Sequence, residues 1–468
     1  MSASGLRAIR YSKEVSNVTR IVASDRDEGA VSSIEENLNL SNVDANLVQV
    51  VHRDALEVMF AAVLEGNFFQ AIDLDPFGSP SALLGAAVHA MANGGMLCVT
   101  CTDMRVLCGM QPEAAYMRYS AMPLRTPYSK EMAIRILINT IQTLATSLGK
   151  VAEPVLSVSI DFYIRVFVRL RLNRHAAQRT CTNTAFVYHC RGCESYSLQP
   201  MAEVSSSKGI SCATGPPAAA LQRGASRCCG VGPFVVGGPV WTGPIQNATA
   251  IAEIAGILER DMRHLASYSR LDGLLTLLKA ELDVPFFMIL SSMTKVVRCS
   301  APKITGLRAL VKMAGYNVSS SHIDPLAIKT DAPLALLWDL IRAWIKQKQI
   351  GILVADDDVA EVNATNRTST RSVRRPSPLY PKNPEKNWGP KRSVGYRGPA
   401  GKRLRTSASE IKKEILPSGM GLPEESLVAK SWDDVAVEKE NDQDVEVERG
   451  LERTSYMLRR LKEEEEQE

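Results

Sequence analysis

No stretch of this sequence approaches the roughly 18 consecutive apolar residues of a membrane span. The opening Met1-Ser2-Ala3-Ser4-Gly5-Leu6-Arg7 also lacks the apolar core of a secretory signal. Nor is there a disulfide framework. Ten cysteines in 468 residues fit reduced thiols, with or without a metal, better than the dense pattern of a small secreted domain. Any excess of one sign of charge is small: a net +4 and a pI near 8.4 permit nucleic-acid binding without requiring it, because placement decides. Residues 2–10 contain no G-x-G-x-x-G, which argues against a dinucleotide oxidoreductase, and no internal repeat is present. What remains is an intracellular protein of two or three domains, of ordinary composition at 45% hydrophobic and 23% charged residues.

The chain is organised around Ala71-Ile72-Asp73-Leu74-Asp75-Pro76-Phe77-Gly78-Ser79-Pro80. A strand-like lead-in stops at acid, proline, aromatic and glycine, as a parallel strand does when its carboxyl end faces a ligand crevice. Asp75 offers a carboxylate, Pro76 a stiff backbone and Phe77 a flat apolar face. An enzyme that alkylates the exocyclic amine of a base needs those three things. The alternative is a tight strand-to-helix turn with an Asx-type hydrogen bond.

The flanking segments favour the first reading. Residues 2–10 form a small-residue turn entering a helix, with Gly5 admitting a ligand to the backbone. Residues 20–25 read as a strand ending in Asp25, about 20 residues past that turn, where nucleotide-binding βαβ units carry a ribose-binding acid. Residues 28–39 have helical spacing, and the strand at 46–51 is followed by Asp54. Further strands are expected at 71–74, 95–100, 156–160 and 163–170, with a helix at 81–92. Acids at successive strand ends predict a doubly wound α/β fold holding a nucleoside-containing cofactor, although each acid alone reads equally as a helix N-cap.

Several short motifs then occur in a familiar order: residues 2–10, Asp73-Leu74-Asp75-Pro76-Phe77-Gly78-Ser79-Pro80, Val99-Thr100-Cys101-Thr102-Asp103-Met104, Asp161-Phe162-Tyr163-Ile164-Arg165-Val166, Lys329-Thr330-Asp331-Ala332-Pro333 and Asn383-Pro384-Glu385-Lys386-Asn387-Trp388-Gly389-Pro390. Together they resemble the tRNA guanine-26 N2-dimethyltransferases from residue 2 to about residue 390. The resemblance implies a Rossmann-like methyltransferase domain over 1–172 and a smaller α+β tRNA-binding domain over 173–358; the change of composition beyond residue 359 predicts a mostly disordered tail over 359–468. It implies S-adenosyl-L-methionine as cofactor and tRNA as partner. Arg7 and Asp25 become cofactor ligands, Asp25 on the ribose hydroxyls, with Asp54 and Ala55 at the adenine edge. Asp75 accepts a hydrogen bond from the guanine amine and Phe77 stacks on the base. Family members carry further sequence before the glycine turn, including a first strand that this sequence is expected to lack.

Cys190-Arg191-Gly192-Cys193 is a C-x2-C, followed by Cys212 and by Cys228-Cys229. The resemblance implies a zinc knuckle of two such pairs, here with Ser226 in place of one thiol. Cys190, Cys193 and Cys229 with Cys228 or Cys212 complete a tetrahedral site; unligated thiols in a Gly/Ser-rich insert are the other reading. His189, beside Cys190, is expected at the surface, with a place as substitute metal ligand the alternative. Helices are expected at 251–262, 271–282, 304–315 and 334–346, the third leading through a glycine cap to a short strand in a winged-helix-like arrangement. Residues 367–405 are basic with interleaved aromatics, as an arm on RNA requires, and Lys402-Arg403-Leu404-Arg405 has the composition of a nuclear import signal. Residues 433–468 are acidic. A non-catalytic RNA-binding protein and a methyltransferase for another RNA guanine remain the competing functions.

Overall fold

The computed structural model describes residues 1–44, 46–205, 211–214, 229 and 233–357. Cys228, the basic stretch 367–405 and the acidic stretch 433–468 lie outside the described residues. The chain divides into two compact units, Met1–Ala343 and Trp344–Glu468. Helix Leu334–Asp357 runs from the first into the second.

The first unit begins with the alternation that the acid-ended strands predict: α1 (Leu6–Glu14), β1 (Ile21–Asp25), α2 (Glu28–Leu40), β2 (Val48–His52), α3 (Ala55–Glu65), β3 (Phe69–Leu74), α4 (Ser81–Ala90) and β4 (Met91–Cys101). Strands β1 and β2 are parallel, as are β3 and β4. After α5 (Met104–Leu107), α6 (Pro112–Tyr119) and α7 (Ser129–Ser147) come β5 (Lys150–Ile160) and β6 (Tyr163–Leu172), an antiparallel hairpin set beside β4. The sheet order is β3-β4-β6-β5, with β1-β2 a separate pair. Among the described residues β1 and β3 each have one strand neighbour. The amino-terminal segment spans the interval between them: Ser2 N–H donates to the Ser24 carbonyl at 3.1 Å, and Arg7 reaches β3.

Local chemistry fixes the helix starts. Asp27 accepts from Ala30 N–H to cap α2, and Asp54 accepts from Leu56 N–H to cap α3. Gly66 closes α3 in the left-handed conformation. Gly5 precedes α1 with φ 71°, and a Cβ there would lie 3.0 Å from Ile34 Cγ2. The sequence reading reserved that space for a ligand. In the structure Ile34 of α2 fills it, so the glycine serves helix–helix packing.

The sequence pattern gave no sign of α7, yet it is the centre of the core. It packs on β5, on β6 and on β11 (Phe234–Trp241), and it buries Ile134, Ile138 and Ile141 together with Glu131, Arg135 and Gln142. A helix buried round most of its circumference shows no polar stripe to reveal it. Each fully buried isoleucine contributes about 1.5–3 kcal/mol.

Beyond α8 (Arg174–Arg179), β7 (Thr184–Cys190) lies between β8 (Tyr196–Pro200) and β11 in a three-stranded sheet, and β9 (Ala202–Ser205) pairs with β10 (Ser211–Thr214). Helices Ala248–Asp261 and Tyr268–Ala280 set Ile251, Leu258, Leu275 and Leu278 around Val158 of β5, a second core. Helix Ile304–Met313, Gly315 at φ 85° and strand Val318–Ser319 match the expected helix, turn and short strand.

Candidate active site

Strand β3 alternates Ile72 and Leu74 into the core with Asp73 towards α1, then breaks at Asp75-Pro76. The loop that follows is held at several points. Gly78, at φ 83°, donates its N–H to Thr102 Oγ1 at 2.8 Å, and Thr102 N–H donates to the Gly78 carbonyl at 3.0 Å. Ser79 Oγ lies 2.7 Å from the Tyr119 hydroxyl, which donates to the Asp103 carboxylate at 3.0 Å; Arg118 pairs with the same carboxylate at 3.0 Å. The Thr102-Asp103 motif at the end of β4 thus braces the Asp75–Pro80 loop. With its backbone so fixed, the loop turns the Phe77 ring wholly into solvent.

Behind the loop runs an alternation of guanidinium and carboxylate. Arg165 Nη2 donates to Asp73 Oδ1 at 2.9 Å, Arg7 Nη1 pairs with Asp73 Oδ2 at 2.9 Å, and Arg7 Nη2 pairs with Asp75 Oδ2 at 2.7 Å. Tyr11 adds a hydroxyl to Asp73. Burial alone would raise the Asp73 carboxyl, but hydrogen bonds from Arg165 and Tyr11 and the charges of both arginines hold it below the usual range. Burial and the Asp73 hydrogen bond push the Tyr11 phenol up. Cys98 of β4, in register with Asp73, is half-buried; its burial and the Asp73 charge push the thiol up to about 12.

The other predicted residues gather at the ends of β1 and β2. Asp25 is the last residue of β1. Its carboxylate accepts from the Met1 ammonium at 2.7 Å, from Ala3 N–H at 3.0 Å and from Asp27 N–H at 3.1 Å. Partial burial opposes ionisation, and these donors outweigh it, taking the carboxyl to about 2. Asp54 Oδ1 is occupied by Leu56 N–H at 2.8 Å as the α3 cap, and Ala55 opens that helix. Ser24 Oγ donates to the Arg53 carbonyl at 2.7 Å, tying the two strand ends together. The structure therefore joins Arg7 directly to Asp75, and sets Asp25 beside Asp54 and Ala55 one strand apart.

The family model described as N2,N2-dimethylguanosine tRNA methyltransferase matches residues 1–342. The chain belongs to the N2,N2-dimethylguanosine tRNA methyltransferase family. It is similar to tRNA (guanine(26)-N(2))-dimethyltransferase 2 of Arabidopsis thaliana, 34% identical over 408 residues, which covers 84% of this chain and 68% of that protein. The tRNA (guanine(26)-N(2))-dimethyltransferase of Schizosaccharomyces pombe is 37% identical over 418 residues, 85% of this chain and 75% of that one. The solved structure of Trm1 from Pyrococcus horikoshii with S-adenosyl-L-methionine superposes with a TM-score of 0.62 at 24% identity, covering 72% of this chain and 86% of that one. At this identity the likeness shows the fold, a methyltransferase α/β domain with a second α+β part.

In this member of the dimethyltransferase family the cysteine cluster is assembled by β7 and the segment before β11. Glu194 N–H donates to the Cys190 carbonyl at 2.9 Å and Cys190 N–H to the Ser195 carbonyl at 2.8 Å, a tight turn that folds Cys193 back over Cys190. The thiols of Cys190, Cys193 and Cys229 lie within 4.8 Å of one another. Cys190 and Cys229 Sγ are 3.6 Å apart, close to the roughly 3.8 Å edge of a tetrahedron with 2.3 Å zinc–sulfur bonds and well beyond a disulfide. The donor set therefore fits zinc. His189 is buried, not at the surface; it meets the Tyr128 hydroxyl at 3.1 Å and Glu194 at 3.4 Å.

Sequence reasoning missed the roles of Tyr11, Thr102, Asp103, Arg118 and Tyr119. Thr102 and Asp103 belong to a motif that carried the family resemblance, which was the available signal. It also missed Lys329, buried with Glu131 at 3.1 Å and Glu281 at 2.9 Å, although Lys329-Thr330-Asp331-Ala332-Pro333 was recognised as a motif.

Proposed function

We propose that this chain transfers methyl groups from S-adenosyl-L-methionine to the exocyclic N2 of a guanine in tRNA, at position 26, first one and then a second. The observation that carries the reading is a carboxylate, Asp75, beside an outward ring, Phe77, on a braced loop at the carboxyl end of parallel strands. When bound, the cofactor supplies an electrophilic methyl group on a sulfonium. Residues 1–172 form the catalytic domain. There Asp25 accepts the ribose hydroxyls, Asp54 and Ala55 border the adenine, and Arg7 contributes a cation to the cofactor side. The carboxylates and the guanidinium suit the hydroxyl, amine and carboxylate groups of that molecule.

Phe77 stacks on the flipped guanine, and Asp75 accepts one amine N–H. The lone pair must be held within roughly 3–3.5 Å of the transferred carbon. As nitrogen alkylates, positive charge develops on the amine. Asp75 stabilises it and takes the proton, or passes it to water. The second methylation uses the same carboxylate on the remaining N–H.

Residues 173–358 bind tRNA, the basic stretch 367–405 binds it as well, and residues 402–405 direct the chain to the nucleus. Cys190, Cys193 and Cys229 with Cys228 hold a structural zinc that fastens the turn after β7 to the segment before β11.

The deciding measurement is transfer of tritiated methyl from the cofactor to unmodified tRNA, with a tRNA carrying adenine at position 26 as the control. Label on the first tRNA alone supports the reading. Label on neither, or equally on both, overturns it.

Two further results follow. Phe77→Ala should lower kcat/KM for tRNA by about 5- to 150-fold, the equivalent of losing about 1–3 kcal/mol of base stacking, whereas Phe77→Tyr should retain most activity. Elemental analysis of the purified chain should find about one zinc per molecule, and Cys190→Ser should lose it. Full zinc in Cys190→Ser would remove Cys190 from the ligand set.

A further inference from the structure

Asp73 has no place in the chemistry above, yet it is the most heavily bonded carboxylate near the site. Its side chain is 14% exposed. Oδ1 and Oδ2 accept from Arg165 Nη2 at 2.9 and 3.1 Å, and Oδ2 also accepts from Arg7 Nη1 at 2.9 Å and from the Tyr11 hydroxyl. Arg165 is itself fixed: it stands opposite Thr100 in the β4–β6 register, donates to Thr100 Oγ1, and lies 4.9 Å over the Phe167 ring.

Arg7 is different. Its side chain is 43% exposed, and an exposed arginine paired with a single exposed carboxylate is held weakly, because side-chain entropy and solvent screening nearly cancel the attraction. Here one terminal nitrogen is pinned by Asp73, which presents the other to Asp75 Oδ2 at 2.7 Å. Asp73 lies on β3 and Asp75 follows just past its end, and the guanidinium bridges the two carboxylates.

We infer that Asp73 is a positioning residue that aims the Asp75 carboxylate by holding Arg7 across both acids. The inference rests on the reading of Asp75 as the acceptor of the guanine amine. With Arg7 bound to Oδ2, the plane of the Asp75 carboxylate is set and Oδ1 is left for the substrate N–H. Asp73 touches neither substrate nor cofactor. Its effect passes entirely through Arg7, and it is felt when the amine has to be aligned rather than when tRNA binds.

The test is a double-mutant cycle with Asp73→Asn, which keeps shape and removes charge, and Arg7→Met, at a surface position the fold tolerates. Methyl transfer to tRNA is measured at saturating cofactor, with tRNA affinity measured separately. Each single variant should lower kcat about 10- to 100-fold while changing the tRNA Kd less than about threefold. The double variant should be no slower than the slower single one, because both remove the same alignment. Multiplied effects on kcat would overturn the proposal, as would an Asp73→Asn loss expressed only as a lower melting temperature. If Asp73→Asn does not fold, Arg7→Met decides alone: unchanged kcat with a raised KM for the cofactor makes Arg7 a cofactor ligand only and Asp73 structural. A wild-type chain that leaves guanine 26 unmethylated overturns the parent reading, and this proposal with it.

Discussion

Asp75→Ala is expected to lower methyl transfer about a thousandfold while leaving the tRNA Kd within about twofold. A positioned proton acceptor contributes about 10²–10⁴ in rate, and alanine removes both that acceptor and the charge opposite the developing ammonium. Binding should survive because the loop that carries Phe77 is held at Gly78 by Thr102 and at Ser79 by Tyr119, not by Asp75. Folding should survive as well, since Arg7 keeps its pair with Asp73 at 2.9 Å. Single-turnover label transfer together with tRNA binding checks both halves. A parallel collapse of affinity would make Asp75 a structural acid and remove the observation on which the proposed function stands.

Glu131→Ala is expected to destabilise the first unit by about 3–5 kcal/mol, the cost of leaving buried charge unpaired. Glu131 Oε1 accepts from Arg135 Nε at 2.8 Å and from Phe286 N–H at 2.8 Å, while Oε2 pairs with Lys329 at 3.1 Å. Lys329 continues to Glu281 at 2.9 Å, and Glu281 accepts from His322 Nδ1 at 2.7 Å and from Ser321 Oγ at 2.8 Å. Two carboxylates face two cations, all nearly inaccessible to water. Removing Glu131 leaves Lys329 with Glu281 alone and Arg135 with backbone carbonyls in place of a carboxylate, and it strands the Phe286 amide. The urea midpoint should fall with an unchanged m value.

The same group sets an acid limit. Burial raises both carboxyls, but Lys329, with Arg135 beside Glu131 and His322 beside Glu281, brings them below the ordinary glutamate value. Carboxyls depressed in the folded state contribute stability that is complete above the unfolded value of about 4.3. It is lost as the pH falls from there through their folded values.

Much of the amino-terminal half was legible because short apolar strands and their terminal acids are local signals. Asp25, Asp54 and Asp75 stand where the strand ends placed them, and the β5–β6 hairpin was visible in residues 156–170. The features that escaped are those in which burial inverts the usual meaning of a residue. Glu131 and Arg135 on α7 are charged residues in the core, which no local pattern marks. Lys329 read as one letter of a motif, and Gly5 as room for a ligand rather than for Ile34. The β7–β11 pairing joins segments separated by the cysteine-rich insert, and no local pattern announces a partner at that distance. The brace from Thr102 and Asp103 to the Phe77 loop likewise depends on β3 and β4 lying side by side, which only the tertiary structure supplies.

Cys98 has one more consequence. A donor that methylates nitrogen is also a hazard to any sulfur nucleophile nearby, and this thiol sits directly across the strand pair from Asp73. Only the thiolate attacks such an electrophile. Burial and the neighbouring carboxylate push its thiol up to about 12, which keeps it protonated at neutral pH. The Asp73 carboxylate that holds Arg7 and Arg165 therefore also disfavours a thiolate on the neighbouring strand.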